Sequence, residues 1–128
     1  MKLVDTTFLV DLIRGNKETI KILDKKEILL TTQINMFEMI RGLFLRNVSQ
    51  EDRHKTMTLF EDMRVLPLDD SGIIKSAEIS AEQLKKGEAI EDADCLIAGI
   101  ALSKGVTTII TRNVKHFEQI KGLKVETY

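Results

Sequence analysis

Acidic side chains stand where predicted strands and helices meet. Asp5 ends a short apolar strand, and Glu38 and Asp94 lie in the first turns of predicted helices, with Asp92 two residues before Asp94. A helix that follows a parallel strand begins at the carboxyl edge of the sheet, where open α/β folds bind their ligands. We therefore expect Glu38 to lie near Asp5, and Asp92 and Asp94 to join them if their helix has the same orientation.

Such a group of carboxylates favours metal chemistry. Crowded carboxylates raise one another's pKa unless a cation lies between them, and their hard oxygen atoms suit Mg²⁺ or Mn²⁺. Mg²⁺ keeps several waters and accepts phosphate oxygens, and a metal-bound water ionises readily enough to attack phosphorus. The pattern thus predicts hydrolysis of a phosphodiester by metal-activated water, without a protein nucleophile.

Each acid also has a purely structural interpretation. Glu38 stands three residues after Asn35 and is suitably spaced for a capping box. Asp5, Asp92 and Asp94 are all typical residues for capping a helix or stabilising its N-terminal dipole.

The other reactive residue types do not suggest a site. His54 and His116 are far apart, with no second histidine at metal-ligand spacing, and we interpret both as surface or capping residues. Cys95 follows Asp94 on an apolar helix and has no recognisable base, so we expect a packed thiol.

Apolar periodicity predicts a single domain over residues 1–128. Strands are predicted at 2–4, 28–31, 65–68, 106–111 and 123–126, and helical spacing occupies the segments around 8–13, 36–44, 57–63, 74–84, 93–103 and 114–120. Parallel strands need long crossovers, so strands separated by helices of this length predict a three-layer α/β/α domain. Its central sheet is expected to be mainly parallel, with four to five strands, and Pro67 favours an edge or terminal position for the third.

Composition excludes several classes of protein. The 128 residues carry 19 Lys and Arg against 20 Asp and Glu, a formal charge of −1, which argues against nucleic-acid binding by charge alone. No apolar run approaches the roughly 18 residues of a membrane helix, and no P-loop or Gly-x-Gly-x-x-Gly follows a strand. A single cysteine and no signal-peptide pattern make a reducing cytoplasm the expected compartment.

Four motifs in order resemble those of the PIN-domain family, and especially its VapC-like toxins of prokaryotic toxin–antitoxin pairs. They are Val4-Asp5-Thr6-Thr7 with Arg14-Gly15, then Glu38-Met39-Ile40-Arg41-Gly42, then Asp94-Cys95-Leu96-Ile97-Ala98-Gly99, and finally Thr111-Arg112-Asn113-Val114-Lys115-His116-Phe117. The resemblance covers essentially the whole chain. It implies a metal-dependent ribonuclease that holds Mg²⁺ or Mn²⁺ through Asp5, Asp94 and Glu38, with Asp92 as a further catalytic acid.

The resemblance also implies supporting residues. Thr6 and Thr111 match hydroxyl positions that orient ligands or water, although β-branched residues also simply suit strand ends. Asn113 stands where many members of the family have Asp, which lowers the anionic charge available for a second metal ion, and Thr7 replaces the more usual Asn or Ser. Candidates for contacts to RNA phosphates are Arg14, Arg112 and Lys115, each of which is also typical of a solvated surface charge.

Partners follow from the same resemblance. The segment 36–45 is apolar around more than one helical face, which indicates either burial on two sides or an exposed groove. The resemblance implies that a cognate antitoxin binds this region, that the toxin forms a homodimer, and that RNA is the substrate. The alternatives are a housekeeping PIN nuclease in RNA maturation and a catalytically silent protein-binding module, which has only Asn113 in its favour.

Overall fold

Five short strands form one wholly parallel sheet at the centre of the molecule. In the computed structural model, which describes all 128 residues, the sheet order is β3-β2-β1-β4-β5. The strands are β1 Lys2–Val4, β2 Leu29–Thr32, β3 Arg64–Leu66, β4 Thr108–Ile110 and β5 Lys124–Glu126. The predicted number and direction of strands are confirmed, and Pro67 directly follows an edge strand.

Helices cover both faces of the sheet, which confirms the three-layer α/β/α architecture. They are α1 Thr6–Ile13, α2 Lys17–Leu23, α3 Gln33–Leu45, α4 Gln50–Asp62, α5 Asp70–Lys85, α6 Asp92–Ser103 and α7 Val114–Phe117. Helix α2 was not predicted from the sequence. It begins after Asn16, whose side chain accepts hydrogen bonds from the amides of Glu18 and Thr19.

Alternating side chains of the central strands divide the core into two clusters. Successive residues of a strand point to opposite faces of the sheet. Leu3 and Ile109 accordingly belong to the cluster that holds the buried residues of α5, α6 and α7, whereas Val4 and Ile110 belong to the cluster that holds those of α1, α3 and α4. Helices thus cover both faces of the central strands, and the polar residues that follow these strands lie at the carboxyl edge of the sheet.

Two helix starts differ from the sequence prediction. Helix α3 begins at Gln33, so Glu38 lies in its second turn rather than its first, and the capping box joins Thr32 to Asn35 instead of involving Glu38. The sequence predicts that Ser71 starts the helix before Gly87, whereas α5 begins at Asp70 and is capped by Asp69. Both predictions were wrong because a polar residue nearer the preceding strand accepts the first free amide.

Cys95, a residue of α6, is buried in the core, as expected for a packed thiol. No helix combines the length and the apolar composition required to cross a membrane.

Candidate active site

The strand order creates a crevice at the carboxyl ends of β1 and β4. The chain runs from β1 outward through β2 to β3, then returns to the other side of β1 to form β4 and β5. Open α/β sheets bind ligands where the strand order reverses in this way. Asp5 follows β1 and Thr111 follows β4, so both lie at this crevice.

Asp5 is buried and held by three hydrogen bonds. Its carboxylate accepts from Thr111 Oγ1 at 2.6 Å, from Thr7 Oγ1 at 2.7 Å and from the amide of Phe8 at 3.2 Å, the last of which caps α1. Burial raises the pKa of Asp5 above its ordinary value, although the hydrogen bonds from Thr111 and Thr7 act in the opposite sense. The structural interpretation of Asp5 is therefore confirmed, since it caps α1, and its carboxylate is fixed at the crevice.

Glu38 reaches the same crevice from α3 through the hydroxyl of Thr6. Thr6 Oγ1 donates to Glu38 Oε1 at 2.7 Å and accepts from Asn35 Nδ2 at 3.1 Å. Asn35 is itself fully buried. Its side-chain oxygen Oδ1 accepts hydrogen bonds from the amide and the hydroxyl of Thr32 in the capping box. A second-turn position on α3 thus still brings Glu38 beside α1.

Asp94 is paired with a histidine. Its Oδ2 atom lies 2.9 Å from His116 Nδ1 of α7, and its side chain is only 14% exposed. Burial raises the pKa of Asp94, the contact with His116 lowers it, and the charges of Glu91 and Glu38 raise it further.

The segment after β4 is tied to the start of α1. Thr111 Oγ1 accepts the amide of Asn113 at 2.9 Å, and Thr7 Oγ1 accepts the amide of Arg112 at 3.0 Å. The side chain of Asn113 is exposed and forms no capping hydrogen bond. The backbone of this segment is therefore fixed by the same two hydroxyls that hold Asp5.

The acids do not form a closed metal cage. No group of three or more His, Cys, Asp or Glu side chains lies close enough together to hold an ion. Asp92 is exposed and lines a groove between α5 and α6 with Ser76, Ser80 and Cys95, so the structure does not bring it to Asp5. We refer to Asp5, which follows β1, Glu38 of α3 and Asp94 of α6 as the carboxylate row; as they stand, its three members do not lie close enough together to hold one ion.

A groove of about 350 Å³ extends from this row toward basic residues. Thr6 and Glu38 line one part of it, and Arg14 and Arg46 line another. Lys115 and Arg112 are exposed on the segment after β4. Three of these four cations were candidates from the sequence; Arg46 was not.

Several contributors were missed by sequence reasoning. His116 is on the surface as expected, but its contact with Asp94 was not foreseen, and Asn35 was considered only for a cap. The sequence marks both residues only by position: Asn35 lies three residues after β2, and His116 lies in the short helix that follows β4. Spacing alone shows which side chains approach an edge, whereas pairing across 22 residues, as between His116 and Asp94, requires the fold.

The comparison with known families agrees with this geometry. A model of the PIN domain matches residues 2–123. The chain belongs to the PIN-domain family. Among curated proteins, this PIN domain is 30% identical over 126 residues to the ribonuclease VapC1 of Methanocaldococcus jannaschii, a match that covers 96% of this chain and 85% of the relative.

Further relatives extend the similarity. The PIN domain is 28% identical over 97 residues to the tRNA(fMet)-specific endonuclease VapC of Salmonella typhimurium, covering 76% of this chain and 73% of that protein. A solved structure of DNA-bound VapBC from Salmonella typhimurium superposes with a TM-score of 0.88 at 25% identity, covering 98% of this chain and 96% of the other. The family resemblance read from the four motifs is therefore confirmed.

Proposed function

We propose that this PIN domain is a Mg²⁺- or Mn²⁺-dependent endoribonuclease that acts in the cytoplasm as the toxin of a toxin–antitoxin pair. The observation that carries the proposal is the buried Asp5 carboxylate, fixed by Thr111 from the far end of the chain at the ligand-binding crevice of the sheet. The curated relatives, named as ribonuclease and endonuclease, support the reaction class.

The residues present fit a hydrated divalent ion. Mg²⁺ is commonly bound through one or two carboxylates and keeps water in its remaining positions, so it needs no closed cage. Burial disfavours the charged forms of Asp5 and Asp94 in the protein alone, and a bound cation would offset that cost. Asp5 and Asp94 would hold the ion, with Glu38 as the third acid; Asp92, which lines the separate groove between α5 and α6, is not part of this set.

The protein's own residues fix these carboxylates in place. When bound, the ion supplies an ionised water as nucleophile and stabilises charge on the phosphoryl oxygens. Thr7 and Thr111 orient Asp5, Thr6 orients Glu38, and His116 orients Asp94. Partners of this kind typically change metal affinity or activity by roughly 10- to 100-fold when they are removed.

RNA would enter along the groove that leads away from Glu38. Arg14 and Arg46 line this groove, and Lys115, the second residue of α7, is exposed. These cations suit the phosphate backbone, which fixes the position of a nucleic acid without reading its sequence. The chain has only five Phe and one Tyr, so base stacking on aromatic side chains contributes little and recognition rests mainly on RNA shape.

The decisive experiment compares matched acid variants. Purified protein is incubated with total RNA and Mg²⁺ or Mn²⁺, beside Asp5→Ala, Asp94→Ala and Asp70→Ala, the last an exposed acid at the start of α5. We expect cleavage by the wild type and by Asp70→Ala, no cleavage by the other two, and complete loss on chelation with EDTA. Circular dichroism checks that each variant is folded. Equal cleavage by all four proteins would refute the assignment.

The antitoxin is proposed to cover the exposed apolar side of α3. Met39 and Leu43 point into the core, whereas Phe37, Phe44 and Leu45 are exposed, Phe44 by 80%. Together with Met36 and Ile40 they line a shallow groove of about 520 Å³. Exposed apolar surface of this kind marks an interaction site, and the relative of known structure is a VapBC complex.

Homodimer formation is proposed through a different apolar surface, the exposed Ile73 and Ile74 of α5. A small helical protein encoded next to this gene should bind the wild type in calorimetry, and sedimentation should report a dimer. Phe44→Asp should weaken binding of the neighbouring protein and Ile74→Asp should weaken the dimer, whereas Ile28→Asp, a matched exposed apolar position on neither helix, should change neither. A neighbouring protein that fails to bind would favour a housekeeping nuclease.

A further inference from the structure

A second polar cluster lies almost two turns along α1 from Asp5. Asp11 is buried, with its side chain only 9% exposed, and pairs with Arg112 Nη1 at 3.3 Å through Oδ1. Its other oxygen, Oδ2, accepts a hydrogen bond from Tyr128 Oη at 2.6 Å. Tyr128 in turn packs edge-on against Phe8, with ring centroids 5.5 Å apart. Both oxygens of Asp11 are therefore engaged.

The tyrosine keeps this arrangement at neutral pH. Burial and the hydrogen bond to Asp11 raise the pKa of Tyr128 above its ordinary value, so its hydroxyl stays protonated and remains a donor. Because the tyrosine hydroxyl occupies Oδ2, the other carboxylate oxygen, Oδ1, is the one that contacts Arg112. Asp11 thus presents one oriented oxygen to the guanidinium.

Arg112 is fixed at two points relative to Asp5. Its amide donates to Thr7 Oγ1, the hydroxyl that also donates to Asp5, and its side chain ends at Asp11. Asp11 lies six residues after Asp5, which corresponds to roughly 9 Å of helix rise. The guanidinium is therefore held beside the crevice, displaced along α1 from the carboxylate row.

Arg112 has donors to spare. A guanidinium carries five N–H donors in a planar fork that matches phosphate geometry, and the contact with Asp11 is made through Nη1. The Arg112 side chain is 55% exposed while Asp11 is buried behind it, so an approaching anion meets the guanidinium first. An ion pair that served stability alone would gain little from this exposure, because partly solvated pairs contribute about 0 to 1 kcal/mol.

We propose that Asp11 is a positioning residue that holds Arg112 as a fixed contact for an RNA phosphate flanking the scissile bond. This inference rests on the proposed ribonuclease function and adds to it a residue outside the four motifs' acids. It predicts the direction in which RNA affinity changes when Asp11 is removed. Removal of an anion should on electrostatic grounds tighten RNA binding, whereas loss of a positioning residue should weaken it.

The test measures RNA affinity without cleavage. Binding of a fluorescein-labelled single-stranded RNA of mixed sequence is followed by anisotropy in EDTA, from about 50 to 200 mM KCl. The proteins are wild type, Asp11→Ala, Asp11→Asn, Arg112→Ala, the double variant, and Arg64→Ala as a matched exposed arginine at the start of β3. Thermal denaturation gives the folded fraction of each, so that affinities refer to folded protein.

We expect Arg112→Ala to weaken binding roughly tenfold and to lower the slope of log K against log salt by about 0.7, the value of one phosphate contact to a single strand. Asp11→Ala should weaken binding severalfold, Asp11→Asn less, and neither should act further in the Arg112→Ala background. Arg64→Ala should match the wild type. In Mn²⁺-dependent cleavage, Asp11→Ala should raise KM and leave kcat within about twofold.

Tighter binding by Asp11→Ala, equal effects of Asp11→Ala with and without Arg112, or no RNA binding by the wild type would each overturn the inference. A wild type that binds RNA but leaves it intact with Mg²⁺ and Mn²⁺ would instead refute the nuclease. The double-variant comparison would still decide the role of Asp11 in that case. The two failures are thus distinguishable.

Discussion

The close approach of α5 and α6 gives a prediction in which one methyl group has opposite effects at two glycines. A Cβ atom on Gly99 of α6 would lie 2.0 Å from Ser76 Oγ and 2.6 Å from the backbone nitrogen of Ser76 on α5. The backbone contact cannot be relieved by a side-chain rotation, so the helices must separate. A Cβ atom on Gly42 of α3 would meet nothing within 4 Å.

The magnitudes follow from these contacts. Replacing a helical glycine by alanine gains about 1 kcal/mol of helix propensity, and Gly42→Ala should keep that gain. Overpacking costs about 1 to 3 kcal/mol, and the backbone clash places Gly99→Ala at the upper end, for a net loss of about 2 kcal/mol. For a chain of this length 1 kcal/mol corresponds to about 4 °C in Tm. We expect Tm to fall by about 8 °C in Gly99→Ala and to rise by about 4 °C in Gly42→Ala.

The same change should reach the active site. Helix α6 carries Asp94, whose contact with His116 depends on where α6 sits. We therefore expect weaker Mn²⁺ binding by calorimetry in Gly99→Ala and unchanged affinity in Gly42→Ala. If both substitutions raised Tm, or if Gly99→Ala bound Mn²⁺ like the wild type, the account of this helix pair would be wrong.

Three further substitutions test charges in the protein. Asp5→Asn should raise the Tm of metal-free protein at neutral pH, because it removes a buried charge, yet abolish cleavage; a lower Tm would contradict this. His116→Ala should weaken Mn²⁺ binding roughly 10- to 100-fold in calorimetry, and His54→Ala should not. The hydrogen bond from Lys104 lowers the pKa of Asp69. The ionised carboxylate therefore stabilises the fold above the unfolded-state pKa, and this stabilisation is lost as the pH falls. Melting curves of Asp69→Asn should show a smaller decrease in Tm on acidification than those of the wild type.

Much of the fold could be predicted because apolar periodicity and strand spacing are local signals. The exception is α2, whose seven residues contain three apolar side chains, Ile20, Ile22 and Leu23, too few to define a helical face. Its boundary is fixed by a cap at Asn16 that only becomes recognisable once the helix is known. Short helices depend on packing more than on their own sequence.

The site was only partly predictable for a related reason. Asp5 and Thr111 could be placed at one edge because each follows a strand, but their 2.6 Å contact depends on β1 and β4 being neighbours. His116 was dismissed because it lacks a second histidine, whereas its partner is the carboxylate of Asp94. No sequence motif marks Asp11, whose hydrogen bond with Tyr128 joins residues 117 positions apart.

The position of β1 in the sheet also governs when the active site comes into being. The first strand pairs with β4, and the hydroxyl that fixes Asp5 belongs to a residue 106 positions further along the chain. A ribosome must therefore complete most of the polypeptide before the crevice closes around its carboxylates. Fragments released by interrupted translation would contain Asp5 but lack the distant hydroxyl that fixes it. Such fragments would therefore have no nuclease activity.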